Sequence, residues 1–246
     1  MKLAILTDIH ANREALQAVL EDAQARGAEQ FALLGDLVGY GPDPIWCCDR
    51  VAELQAGGAL CVRGNHDSAA VGMAEPMSAL ARRAMDWTVA RLSDVQVGFL
   101  RNLPLTAELG DLLFVHASAN EPEAFSYVTS DTRAAPSFRA SNARVIFCGH
   151  THVPLLASMD PGGVVRQQEF KANLPLPLLR SRRWLAVVGA VGQPRDGVAE
   201  AGWALLDTAT NELMFRRTAY DAAQTVAKLR AAGLPEELAL RLLRGR

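Results

Sequence analysis

Val145-Ile146-Phe147-Cys148-Gly149-His150-Thr151-His152 joins four apolar residues, enough for a short buried strand, to a glycine and two histidines one residue apart. In extended backbone, residues i and i+2 point to the same side roughly 7 Å apart, so His150 and His152 can face one metal ion or two adjacent ones. Paired histidines at a strand end can also serve a turn. The rest of the chain decides between the two readings. The same design, an apolar run handing over at once to Asp, Asn or His, occurs four more times and takes in every histidine of the protein.

Residues 3–6 form one such run and deliver Thr7-Asp8-Ile9-His10, a second i, i+2 pair. Asn12 is placed to cap a helix whose apolar positions Ala15, Leu16, Val19, Leu20 and Ala23 recur at helical spacing before Gly27 ends it. Residues 31–34 lead into Gly35-Asp36, then into Gly39-Tyr40-Gly41, where glycines allow a tight loop and close approach of a ligand. Tyr40 can pack on the surface or stack on a substrate. Pro44 suits the first turn of a helix running through Val51 and Leu54. Residues 59–62 end in Arg63-Gly64-Asn65-His66-Asp67: Asn65 offers a hard oxygen, His66 a nitrogen ligand or a proton donor, and Arg63 a cation for an anionic phosphate. Residues 112–115 end at His116, after a candidate edge strand over 105–109.

Between these blocks, residues 73–101 carry the helical spacing of Leu80, Ala84, Trp87, Val89 and Leu92 without evident ligands, and read as scaffold. Residues 118–138 are rich in Ser, Thr, Pro and Ala and lack periodicity. A loop that long is a candidate lid over a substrate. Beyond His152 the spacing predicts a hairpin over 155–170, a strand over 185–188 feeding the segment Gly192-Gln193-Pro194-Arg195-Asp196-Gly197, a second hairpin over 203–217, and helices over 221–232 and 235–244.

The 246 residues suffice for one large domain, taken as 1–246, with no low-complexity linker or internal repeat. The net charge of −2 gives no basic footprint for a nucleic-acid polymer. No apolar run approaches the roughly 20 residues of a membrane span, and the run at 3–6 is short of a signal-peptide core, so a cytoplasmic protein is expected. Cys47, Cys48, Cys61 and Cys148 make no Cys-x-x-Cys and read as buried, reduced thiols. Base rates alone make a homodimer the default assembly.

Alternating strand and helix, followed by hairpins, argue an α/β protein in which helices cover sheets with some antiparallel strands. Ligands of such sheets bind outside the carboxyl ends of the strands. Asp8, His10, Asp36, Asn65, His66, His116, His150 and His152 all follow strand ends, and should converge on one rim. A mixture of Asp, Asn and His without Cys suits manganese, iron, zinc or nickel, and ligand type alone does not choose among them; manganese is the expected ion. These residues are too many for one ion and about right for two divalent ions held about 3.5–4 Å apart, the arrangement that clamps a phosphoryl group.

Taken together, Asp8-Ile9-His10, Gly35-Asp36, Gly64-Asn65-His66-Asp67, His116 and Gly149-His150-Thr151-His152 resemble the five-block signature of the calcineurin-like metallophosphoesterase superfamily, in the right order over residues 3–153. The segments 39–44 and 192–197 further resemble a bacterial and archaeal branch of small phosphodiesterases and dinucleoside polyphosphate hydrolases. The resemblance implies a four-layer α-β-β-α sandwich, with Asp8, His10 and His152 on one metal, Asn65, His116 and His150 on the other, and Asp36 bridging. It also implies His66 facing the leaving-group oxygen while a bridging hydroxide attacks phosphorus. Tyr40, Arg63 and Arg195 are candidates for substrate contact.

Departures from the pattern bear on specificity. The superfamily's protein serine/threonine phosphatases follow their Gly-Asp with Asp-Arg, where this chain has Gly39-Tyr40. The acid that would orient His66 is therefore missing, leaving Asp43 or Asp67 as substitutes. Ala117 stands where the branch commonly has glycine, and Val187-Val188-Gly189-Ala190 where it has Asn-Pro-Gly-Ser. The expected activity is hydrolysis of a small phosphorylated substrate such as a nucleotide: a phosphodiester, a phosphomonoester or a dinucleoside polyphosphate. The alternatives are a serine/threonine protein phosphatase and a non-catalytic scaffold of the same fold.

Overall fold

The computed structural model describes residues 1–73 and 76–246; residues 74 and 75, inside the span read as helical scaffold, lie outside the described residues. The first half alternates strand and helix. It runs β1 (Lys2–Leu6), α1 (Arg13–Ala25), β2 (Gln30–Leu33), α2 (Pro44–Ala56), β3 (Leu60–Cys61) and α3 (Asn65–Ala70), followed by α4 (Ala79–Val89) and α5 (Asp94–Asn102). Then come β4 (Thr106–Leu109), β5 (Leu112–Val115), α6 (Asp131–Ala140) and β6 (Val145–Cys148). The chain finishes with β7 (Leu155–Met159), β8 (Val165–Gln168), β9 (Leu176–Pro177), β10 (Arg183–Val187), β11 (Ala201–Asp207), β12 (Glu212–Thr218), α7 (Ala222–Ala231) and α8 (Glu236–Arg244).

Two mixed six-stranded sheets result, ordered β3-β2-β1-β11-β12-β9 and β4-β5-β6-β10-β7-β8. In the first, β1, β2 and β3 run parallel, β11 pairs antiparallel with β1, and β12 pairs antiparallel with β11. In the second, β5, β6 and β10 run parallel between antiparallel neighbours. Strand alternation explains the layering. Leu3 and Ile5 of β1 pack against Phe114, Val145, Phe147 and Trp184 of the opposite sheet, while Ala4 and Leu6 pack outward against Leu16, Val19, Cys47 and Val51 of α1 and α2. Burying each such Leu or Ile contributes roughly 1.5–3 kcal/mol. On the far side, Ala134 and Phe138 of α6 cover Val115, Ile146 and Leu185. The order is α-β-β-α, as the resemblance implied.

Four boundaries differ from the sequence reading. The aperiodic stretch 118–138 contains the first part of α6, which accommodates Pro136 inside it. The scaffold span divides into α4 and α5 because Ser93 caps a new helix, its backbone N–H donating to Gln96 Oε1 at 3.0 Å. Asn65 and His66 open a six-residue helix, to which the sequence reading assigned no element. A two-residue strand, β9, was not foreseen. The four cysteines are free and buried, and burial pushes Cys61 up to about 12 and the other thiols higher still, leaving them inert. Among the described residues no helix is long and apolar enough to cross a membrane.

Candidate metal centre

The carboxyl ends of β1, β2, β5 and β6 open on one side, and the loops after them carry the polar residues. The 7–12 loop lies against the 35–38 loop through backbone bonds from Asp8, His10 and Ala11 to Gly35, Asp36 and Leu37. Asp8, His10, Asp36, Tyr40, His150 and His152 all hold φ between 48° and 68°, a left-handed conformation that non-glycine residues rarely adopt. Strain of this kind persists where the surrounding structure over-determines it, and it clusters at functional sites. Gly149 is required for a different reason: a Cβ there would run into Thr7 and the Asp8 carboxylate.

Two groups of side chains share one residue. Asp8, His10, Asp36 and His152 form the first, and Asp36, His116 and His150 the second. Asp36 Oδ2 lies 3.6 Å from His10 Nε2 and 3.4 Å from His116 Nε2, so one carboxylate faces both groups. Asn65 Oδ1 adds to the second group at 3.2 Å from His116 Nε2. The other carboxylate oxygens are anchored: Asp36 Oδ1 accepts from the His66 backbone N–H at 2.8 Å, and Asp8 Oδ2 from the His150 N–H and the Thr7 hydroxyl, both at 2.9 Å.

The histidine tautomers are fixed by carbonyls, which only accept. His10 Nδ1 donates to Val38 O at 3.2 Å, His116 Nδ1 to Leu34 O at 2.7 Å and His152 Nδ1 to Gln193 O at 2.6 Å. With Nδ1 on a carbonyl, each ring presents Nε2 to the cluster, where it offers a lone pair once any proton there is displaced, as second-sphere carbonyls arrange for metal-binding histidines. His10 Nε2 and His152 Nε2 then confront each other at 3.1 Å. Asp8 Oδ1, buried and 3.3 Å from His152 Nε2, has no hydrogen-bond partner among the described residues. Facing lone pairs around an orphaned carboxylate oxygen are costly by themselves and fit cations.

The charge distribution points the same way. Burial opposes ionisation of Asp36, yet His116, His66 and His10 hold it well below the usual carboxylate range, and His152 lowers Asp8 likewise. Burial pushes His10 well down, and with His116 it takes His150 down to about 3. Around His116 the Asp36 carboxylate overrides burial and raises the ring to about 9, so a proton sits where a divalent ion would compete for Nε2.

His66 sits beside the cluster, its ring centre 4.8 Å from that of His10 and 4.6 Å from that of Tyr40. Burial lowers it to about 4 against the pull of Asp36, leaving it neutral. Neither Asp43 nor Asp67, the two acids considered from the sequence, hydrogen-bonds to its ring. Asp43 pairs with Lys228 Nζ at 2.9 Å, and Asp67 accepts from the backbone N–H groups of Leu37, Val38 and Gly64. His66 Nδ1 is buried without a partner among the described residues, against Gly39, where a Cβ would collide with it. Arg195 lies at the rim, its guanidinium carbon 5.6 Å from the Tyr40 ring centre and its Nη2 on Gln193 Oε1 at 2.9 Å. Arg63 is turned elsewhere, its Nη1 donating to the Arg101 carbonyl in the last turn of α5 at 3.0 Å.

The sequence reading missed Tyr127 and Phe125. The Tyr127 ring stacks on His150 at 4.1 Å and 19°, and Phe125 meets His116 edge-on at 5.8 Å. Two aromatic residues in an otherwise small and polar stretch just after His116 were the available signal.

Comparison with known proteins shows the family. Residues 1–211 match the calcineurin-like phosphoesterase superfamily domain, and the chain belongs to that family. An uncharacterised protein of Methanocaldococcus jannaschii is 33% identical over 250 residues, spanning 99% of this chain and 98% of the relative. The crystal structure of a metallophosphoesterase from Sphaerobacter thermophilus superposes with a TM-score of 0.88 at 37% identity, covering 100% of this chain and 99% of the other. A hypothetical protein from Pyrococcus horikoshii shares the fold with a TM-score of 0.78 at 20% identity, covering 100% and 98%.

Proposed function

We propose that this protein is a two-metal phosphoesterase acting on a small phosphorylated substrate, a phosphodiester, phosphomonoester or dinucleoside polyphosphate, in the cytoplasm. Asp8, His10 and His152 would hold one divalent ion, Asn65, His116 and His150 the other, and Asp36 both. This oxygen and nitrogen set suits manganese, iron, zinc or nickel without choosing among them, and manganese is the ion we would test first. The observation that carries the reading is the shared Asp36 carboxylate, with Oδ2 turned to His10 on one side and His116 on the other. Two such ions supply Lewis acidity to phosphoryl oxygens and bring the pKa of water toward neutrality.

The chain's own residues supply the rest. With Nδ1 enclosed against Gly39, His66 has Nε2 left to donate a hydrogen bond to a leaving-group oxygen. Arg195 offers a guanidinium to non-bridging phosphate oxygens at the rim, braced by Gln193 and the Tyr40 face. Similarity to the Sphaerobacter metallophosphoesterase supports the class of reaction.

The test is hydrolysis of bis(p-nitrophenyl) phosphate and p-nitrophenyl phosphate by metal-stripped protein with Mn, Ni, Zn or Mg added back. Metal-dependent turnover is expected. A His66→Ala variant should lose about 10²–10³-fold in kcat while keeping its metal, the range for one lost hydrogen-bond donor to a developing oxyanion. Absence of both turnover and bound metal would favour a scaffold, and preference for a phosphopeptide would favour a protein phosphatase.

A further inference from the structure

A cleft of about 450 Å³ adjoins the second ligand group, lined by Asn65 and His150 together with Phe125, Tyr127, Thr129 and Arg133. It therefore begins at the cluster and extends past it. Tyr127 is 55% exposed although its ring lies flat on His150. An aromatic ring held on a buried imidazole and still open to solvent is a platform for a second flat group. Arg133, in the first turn of α6, is exposed, and among the described residues its guanidinium has no hydrogen-bond or ion-pair partner, although its backbone N–H is capped by Ser130. The other arginine near the cluster, Arg195, is braced by Gln193.

We propose that this cleft is a distal subsite for the part of the substrate beyond the phosphorus under attack. It selects a nucleoside carried on a chain of two or more phosphates, with Arg133 taking the next phosphate along and Tyr127 stacking the base. A guanidinium recognises phosphate oxygens through paired N–H donors, and an aromatic face accepts any base by stacking. The volume suits one nucleoside phosphate and excludes a folded domain. A simple monoester would leave both residues idle. The assignment rests on the phosphoesterase reading for which phosphorus is attacked, but the ligand chemistry of the cleft is read from Tyr127 and Arg133 themselves.

Arg133 and Tyr127 are thus specificity residues, and binding tests them without turnover. Titration calorimetry of the manganese-loaded full chain would compare α,β-methylene adenosine diphosphate, adenosine monophosphate and methylene diphosphonate. The methylene adenosine diphosphate should bind about tenfold more tightly than the monophosphate, the worth of one charge-assisted contact. Arg133→Ala should remove most of that advantage, and Arg133→Lys less of it. Tyr127→Leu should weaken both adenosine ligands and spare the diphosphonate. Both residues are exposed, so circular dichroism of the variants should match wild type. Equal affinity for the two nucleotides, or wild-type binding by Arg133→Ala, would overturn the proposal. If no ester is hydrolysed with any metal yet the Arg133 dependence holds, the phosphoesterase reading fails and the subsite stands. Hydrolysis with affinities indifferent to both substitutions gives the reverse.

Discussion

His66 is positioned by shape rather than by an acid. Asp67 follows it in sequence, but α3 turns successive side chains by about 100°, and Asp67 points back to the 37–38 amides instead. What meets His66 Nδ1 is the backbone at Gly39, whose φ of 83° suits glycine and whose missing Cβ leaves room for the ring. Gly39→Ala is therefore expected to displace His66 and lower kcat by about 10²-fold, with both metal equivalents retained because no ligand is on residue 39. Steady-state kinetics beside elemental analysis would check it. Unchanged kcat, or metal lost in step with kcat, would contradict the role given to this contact. At this scale the sequence carried the ligand candidates, because apolar runs broken by Asp, Asn or His mark strand ends whatever the fold. It could not carry Tyr127 or the true neighbours of His66, which depend on how separate loops meet.

The elements were legible where periodicity was strong and obscure where a helix was short or contained proline. α1 shows its pattern openly, while α6 hides behind Pro136 and a run of small residues, and α3 is too brief for a period to show. The contact that seats α1 on its sheet could not be read locally either, since it joins residues nearly 200 positions apart. Asp22 Oδ2 accepts from Arg216 Nη2 at 3.1 Å and from the Thr218 hydroxyl at 2.8 Å, and Oδ1 accepts from Arg26 Nε at 2.8 Å. Partial burial works against the Asp22 charge, but the Thr218 and Arg216 hydrogen bonds outweigh it and lower the carboxyl below its ordinary 3.8. A carboxyl lowered on folding stabilises the folded state above its unfolded value, and that contribution fades as pH falls through the folded one. Asp22→Asn should thus cost about 1.5–3 kcal/mol at pH 7, the range for hydrogen bonds to a charged group. The gap between wild type and variant should narrow below about pH 4. Urea unfolding at several pH values would measure it, and a gap that widens on acidification would refute the assignment.

Across the whole molecule, what the sequence could not specify was which strands become neighbours. β11 inserts antiparallel beside β1 although some 200 residues separate them, and β10 arrives parallel beside β6, because strand pairing is set by tertiary packing and not by local pattern. That topology brings Asp8, His10 and Asp36 from one sheet against His116, His150 and His152 from the other, so ions held there would tie the two sheets together. Any ligand that binds only the folded state stabilises it by mass action, by about 4 kcal/mol at a thousandfold excess over its Kd. For a chain of this size that corresponds to a rise in Tm on the order of 10 °C. Chelation is therefore expected to lower the Tm by several degrees and manganese to restore it, as followed by calorimetry. Asp36→Asn weakens the residue common to both groups, so it should recover much less of the shift at the same manganese concentration. An unchanged Tm on chelation would mean that metal does not couple the sheets. A full shift in the variant would put the stabilising ions somewhere other than the shared carboxylate.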